Sequence, residues 1–283
     1  MSNCIIGSGN FLTADKSTVT ASSFTVGFPA SNSIDTSNAT FYRSVGTTCS
    51  LYYVTSTLRR ARVIALTKTN LRKLSTWRIR MYSDSAGTSL VYDSGTLGCH
   101  PSASGFGTLP WGEFDWGVYF DNESEQTSWN VFHDCGSTLL VRKVVIDIDD
   151  TESSVDGYVQ LASAWVSNGF EPSNGALYGS GIFVKELTKS KEMESGVRKY
   201  GSPVLVRGMK IELEIRKSDL LNQLFGRLLL VNGKKEQIVV MLEPESAQYG
   251  KYQYMIGNLE SVSEITQPYF DAISTVMTIL ERV

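Results

Sequence analysis

Histidine is scarce, with two residues in a chain of 283, and proline hardly commoner, with seven. Long apolar runs are missing. No stretch approaches the ~18 consecutive apolar residues that a membrane-spanning helix needs, so no membrane span is expected. The opening "MSNCIIGSGNFL" has no basic segment ahead of its two-residue apolar run, so it does not read as a signal peptide. A basic excess is missing too. Residues 1–175 carry 12 basic and 16 acidic groups, and residues 176–283 carry 14 and 13. Neither part has the positive footprint of a nucleic-acid binder, and no nucleic-acid partner is expected. Four widely spaced cysteines, Cys4, Cys49, Cys99 and Cys135, make no disulfide framework and read as thiols.

Signatures of catalysis are equally sparse. The chain has no G-x-S-x-G elbow, no G-x-x-x-x-G-K-[ST] loop and no G-x-G-x-x-G opening a helix. No cofactor is expected, and the chain reads as a protein that is not an enzyme.

What is there is β-forming. "CSLYYVTS" (49–56), "ARVIALTKT" (61–69), "TWRIRMYS" (76–83), "SLVYDSG" (89–95), "RKVVIDIDD" (142–150) and "GYVQLASAWVS" (157–167) are rich in β-branched and aromatic residues. Short strands between polar turns predict an antiparallel jelly-roll-like sandwich over 1–175. "IDIDDTESSVDGY" reads as a hairpin connection between its neighbours. The Gly, Ser, Asn and Pro cluster "SNGFEPSNGALYGSG" (167–181) marks a boundary, with a smaller β-rich domain over 176–283. There Met209, Ile211, Leu213 and Ile215 alternate with charged residues, which predicts a half-buried strand. Ser218 or Asp219 caps an expected short helix.

Three features invite chemistry. Cys99, His100, His133 and Cys135 are the residue types of a tetrahedral zinc site. The same four also read as two buried thiols and two loop histidines, because adjacent ligands such as Cys99 and His100 rarely reach one metal. Acidic residues gather at Glu113, Asp115, Asp121, Glu123 and Glu125, and again at Asp147, Asp149, Asp150, Glu152 and Asp156. Both groups read as solvated surface. The third feature is an aromatic excursion at about 98–137. Its stretch 105–129 holds three Trp and four other aromatics. Trp111, Phe114, Trp116, Tyr119, Phe120 and Trp129 offer rigid contact area for a protein or a sugar, or pack on their own domain.

Several fragments resemble, in order, the minor tail proteins of long-tailed (siphovirus-like) bacteriophages. "GFPASNSIDTSNATFYRS" resembles their "YPASN-hydrophobic-D…W-R-S" segment, with Tyr42 where Trp is common. "RVIALTKTNLRKLSTWRIRMYSD", "YDSGTLGCHPSASGFGTLPWGEFDWG" and "VRKVVIDIDD…DGYVQLASAWVSNGFEPSNG" resemble their later strands and aromatic loop. "RGMKIELEI…YMIGNLESV" is similar to their second half. The resemblance implies a discoidin or galactose-binding-like sandwich. It also implies a structural virion protein of the tail tip or baseplate, assembled in the bacterial host cytoplasm. Its partners would be copies of itself in a three- or six-fold ring and neighbouring tail proteins. Strands such as 207–218 would offer edges for strand addition. The alternative is a carbohydrate-binding host-attachment module that takes a surface glycan. In binding members of the discoidin-like fold, a loop like 28–44 reaches the ligand, which makes Phe28, Pro29, Asn32, Asp35, Tyr42 and Arg43 candidates for contact with a ligand or a neighbour.

Overall fold

The computed structural model describes residues 4–35, 39–72, 74–99, 129–152, 154–188, 190–192, 198–201, 205–216, 237–244, 253–264, 266–270 and 272–281. In chain order the strands begin with β1 (Cys4–Ser8), β2 (Thr18–Ala21), β3 (Tyr42–Arg43), β4 (Thr48–Thr69), β5 (Thr76–Tyr82) and β6 (Leu90–Gly98). They continue with β7 (Trp129–Asp149), β8 (Gln160–Leu161), β9 (Ser163–Phe170), β10 (Gly181–Glu186), β11 (Ser190–Glu192) and β12 (Arg198–Tyr200). The last are β13 (Leu205–Arg216), β14 (Gln237–Leu242), β15 (Tyr254–Val262), β16 (Thr266–Tyr269) and β17 (Ala272–Glu281). One short helix, α1 (Phe11–Ala14), is capped by the Asn10 side chain, which accepts from the Leu12 N–H. The chain is mainly β, as its composition predicts.

Residues 9–169 form one compact unit. Its scaffold is the antiparallel order β2-β4-β7-β5-β6, with β9 also on β4. Strand β5 shows why this sequence forms strand. Trp77, Ile79 and Met81 point into the core, and the intervening Arg78 and Arg80 point out to Asp93 and Asp147. The two expected strands 49–56 and 61–69 are one strand of 22 residues, β4. Its pairing with β7 breaks between Val54 and Arg59, where extra residues bulge out of β4. Thr55 Oγ1 donates to the carbonyls of Thr57 and Arg142 across that break. The bulge bends the β4–β7 ribbon, so its two halves cover one core from two layers. Leu51, Tyr53, Ile79 and Ile146 of the first layer share that core with Ile64, Leu66, Val131 and Val166 of the second. This is the antiparallel β-sandwich expected for the N-terminal part of the chain.

The segment 150–159 is not the hairpin connection that its turn residues suggest. Strands β7 and β9 both pair with β4 and not with each other, so the segment crosses between layers. Asp150 is a second departure from the sequence reading. It is buried rather than solvated and accepts from Ser75 Oγ, because the crossing segment covers it.

The other unit takes in residues 170–245 and 253–283 together with the N-terminal strand β1. Its strands follow the order β10-β13-β17-β15-β14-β1, with β16 also on β17. Compared with a division at 1–175 and 176–283, the difference lies in Cys4–Ser8, which hydrogen-bonds to β14 from Leu242 to Ile238, and in Phe170–Gly175. Met209, Ile211, Leu213 and Ile215 are fully buried on one face of β13, as their alternation predicts. Strand β13 is not an edge, however. It pairs with β10 over Leu205–Lys210 on one side and with β17 over Gly208–Arg216 on the other, so both of its sides are filled over Gly208–Lys210. The helix expected after Ser218 falls outside the described residues.

Candidate functional site

Residues 28–35 and 39–44 form a tight crossing at one end of the sandwich. Pro29 opens a 3-10 turn over Ala30–Ile34, and Asp35 closes it. Asn32 Nδ2 donates to the Phe41 carbonyl at 2.8 Å, and Thr40 Oγ1 donates to Asp35 Oδ2 at 3.0 Å. The chain then enters β3. Tyr42 is buried in the sandwich core, and its hydroxyl donates to the Ser23 carbonyl at 2.7 Å. Burial away from water holds that phenol well above its usual range, with the nearby Cys49 thiol adding to the effect.

Strand periodicity turns the next side chain, Arg43, away from the core. Its guanidinium lies over the Phe28 ring at 4.4 Å from the centroid and over the Tyr158 ring at 4.2 Å. Gln160, its cross-strand partner in β8, accepts through Oε1 from Arg43 Nε at 3.2 Å and Nη2 at 2.7 Å.

Neighbouring loops are tied into the same end. The Thr25 N–H donates to the Arg43 carbonyl, and Thr25 Oγ1 to the Ser44 carbonyl, both at 2.8 Å. Ser44 Oγ accepts from the Val159 N–H at 2.8 Å. Asn70 Nδ2 donates to the Tyr158 carbonyl at 2.8 Å and to Asp156 Oδ2 at 3.0 Å, while Asn70 Oδ1 accepts from the Gln160 N–H at 2.7 Å. Three loop segments, 22–29, 43–47 and 154–160, are thereby fixed around Arg43 and Asn70. They carry apolar side chains out into solvent: Phe24 is 54% exposed, Val26 92%, Val45 68% and Val155 73%. A rigid platform with an exposed aromatic ring, other apolar groups, a cation and the Asp156 carboxylate suits a polar ligand with apolar patches.

Of the sequence candidates, the structure joins Phe28, Tyr42 and Arg43 here. Pro29, Asn32 and Asp35 shape the crossing behind them. Sequence reasoning missed Phe24, Asn70, Tyr158 and Gln160. Tyr158 and Gln160 lie more than a hundred residues from Arg43, and nothing local to them signals that meeting.

The zinc candidates sit in different settings. The Cys99 N–H donates to the Ser75 carbonyl at 2.9 Å, and burial near Asp150 pushes its thiol up. Across the core, His133 Nε2 and the Tyr92 hydroxyl are 2.6 Å apart, with Trp77 edge-on to the imidazole at 6.2 Å. Burial lowers the His133 pKa against the opposing pull of Asp134, and it raises the Cys135 thiol to about 12. Among the described residues no three His, Cys, Asp or Glu side chains group to hold a metal ion. His100, Trp111, Phe114, Trp116, Tyr119 and Phe120 lie outside the described residues, as do Glu113, Asp115, Asp121, Glu123 and Glu125. Trp129 begins β7.

No family model matches the chain, and no curated protein matches it. Among solved structures the chain is similar to a family 32 CBM from C. perfringens NanJ in complex with galactose. The identity is 17% over 57% of this chain and 98% of that one, with a TM-score of 0.38. A Streptococcus pneumoniae fucose binding module aligns at 12% identity over 56% of this chain and 96% of that one, with a TM-score of 0.37. Chitosan-binding module 1 of a Paenibacillus sp. chitosanase/glucanase aligns at 17% identity over 56% and 99%, with a TM-score of 0.34. The alignments take in nearly all of each module and little more than half of this chain.

Proposed function

We propose that the sandwich unit binds a carbohydrate at the loop end built around Arg43. The observation that carries this reading is the hydrogen-bonded platform itself. Saccharides present apolar ring faces and a fringe of hydroxyls. Phe24, Val26, Val45 and Val155 supply exposed apolar surface, and Arg43 and Asp156 supply a donor and an acceptor beside it. Loops already locked by backbone hydrogen bonds lose little entropy on binding, which favours affinity. A glycan array probed with the full chain tests the reading. Binding that weakens at least tenfold in Phe24→Ala supports it, and absence of binding to every glycan at high protein concentration overturns it.

The tail-tip reading, with its ring of copies, rests on the sequence resemblance. One observation favours an assembly surface: β10 is the outer strand of its sheet among the described residues, with Ile182 40% and Val184 63% exposed. Light scattering on wild type and Val184→Glu tests it. An oligomer lost in the variant supports assembly through this strand, and a wild-type monomer at every concentration counts against it.

A further inference from the structure

We infer that the ligand is a sugar acid whose carboxylate pairs with Arg43. This inference rests on the carbohydrate reading and narrows it.

Arg43 is half-buried, and its guanidinium overlies the Phe28 and Tyr158 rings. A cation stacked on two ring faces gives up part of its hydration, and the rings replace only some of that. Four other buried or half-buried arginines meet carboxylates: Arg59 meets Asp15, Arg62 meets Asp134, Arg80 meets Asp147, and Arg207 meets Glu281, whereas Arg142 donates to the Thr55 carbonyl. Arg43 meets none among the described residues. Its polar partner there is the neutral amide oxygen of Gln160.

The geometry of that contact decides what remains. Gln160 Oε1 receives the Nε–H and one Nη2–H, the side edge of the guanidinium fork. Three N–H groups are left over, two on Nη1 and one on Nη2. One from each nitrogen points along the end edge, where a carboxylate fits with two parallel charge-assisted hydrogen bonds. A sugar hydroxyl offers one neutral oxygen and leaves the charge uncompensated. The fork is also held ready, because Gln160 is its cross-strand partner and the two rings fix its plane.

Asp156 narrows the class further. It lies two residues before Tyr158, with one oxygen held by Asn70 Nδ2. Its exposed carboxylate accepts hydrogen bonds from hydroxyls. A ligand with a carboxylate for Arg43 and hydroxyls for Asp156 satisfies both, and a uronic acid residue has that composition.

Isothermal titration of the full chain tests this with matched polymers: polygalacturonate, alginate and hyaluronan, each beside its carboxyl-reduced form. At least one acidic polymer should bind ~10-fold or more tightly than its reduced partner, as the added charge-assisted pair implies. Raising the salt should erode that preference. Arg43→Gln should abolish the preference and keep residual binding, and Arg43→Lys, which keeps charge without a fork, should reduce it. If Arg43→Gln does not fold, the wild-type comparison of the paired polymers decides alone. Equal affinity for acidic and reduced forms, or binding confined to neutral glycans, overturns the acid inference and leaves the carbohydrate reading standing. No binding to any polymer here and none on the glycan array overturns both.

Discussion

Tyr42 joins core and loop in one side chain. Its ring fills the sandwich and its hydroxyl holds the loop at Ser23. Tyr42→Phe removes the hydroxyl with its bond to Ser23 and its contact with the Cys49 thiol, keeps the ring, and should cost about 1 kcal/mol in urea denaturation, the net worth of an ordinary buried hydrogen bond. Tyr42→Ala also opens a cavity and should cost about 3–5 kcal/mol. His133 supplies a pH dependence. Burial lowers its folded pKa below the unfolded value of about 6.5, so the unfolded chain takes up the proton first. Its stabilising contribution is complete above that value and is lost as pH falls below it towards the folded pKa. The wild-type melting temperature should therefore drop between pH 7 and pH 5 by more than that of His133→Gln. Parallel curves for the two proteins would contradict the assignment.

Elements extend beyond what their local residues signal. The bulge after Val54 lets a single strand serve two layers, and 49–69 reads locally as two strands because Ser56 to Arg60 is polar or exposed. Strand β13 was the clearer case, since strict alternation and complete burial coincide. Ile211→Ala should cost about 2–5 kcal/mol, measured by chemical denaturation, because its site is closed on every side. Gly257 is fixed by a neighbour. A Cβ there would run into the Leu280 carbonyl of β17 as well as the Ile279 side chain. Backbone cannot yield as a flexible side chain does, so Gly257→Ala should disturb the β15–β17 register and lower stability by about 1–3 kcal/mol. Gly46, with open space at its Cβ, should tolerate alanine within about 0.5 kcal/mol.

At the scale of the whole molecule the described residues form two cores, one centred on β4 and β7 and one on β13 and β17. These four strands have partners on both sides over part of their length. Hydrogen exchange read by mass spectrometry should show two slow sets of amides, one in β4 and β7 and the other in β13 and β17, with β6 and β10, the outermost strands among the described residues, faster. Uniform protection across β10 and β13 would contradict the sheet order.

The sequence by itself determined the β class, the sandwich in the N-terminal part and the buried face of β13, because period-two alternation is a local property that each strand carries in its own residues. It also picked out Tyr42 and Arg43, since an aromatic residue followed by a cation at a strand start implies a core side and a rim side. Only the tertiary structure decided the partners of Arg43. Phe28 is near in sequence, but Tyr158 and Gln160 arrive on a crossing segment after four intervening strands. The placement of β1 beside β14 was likewise invisible, because strand pairing depends on backbone hydrogen bonds that any apolar strand can form. Register and neighbour are settled by which apolar faces close on one another, and that is a property of the folded chain.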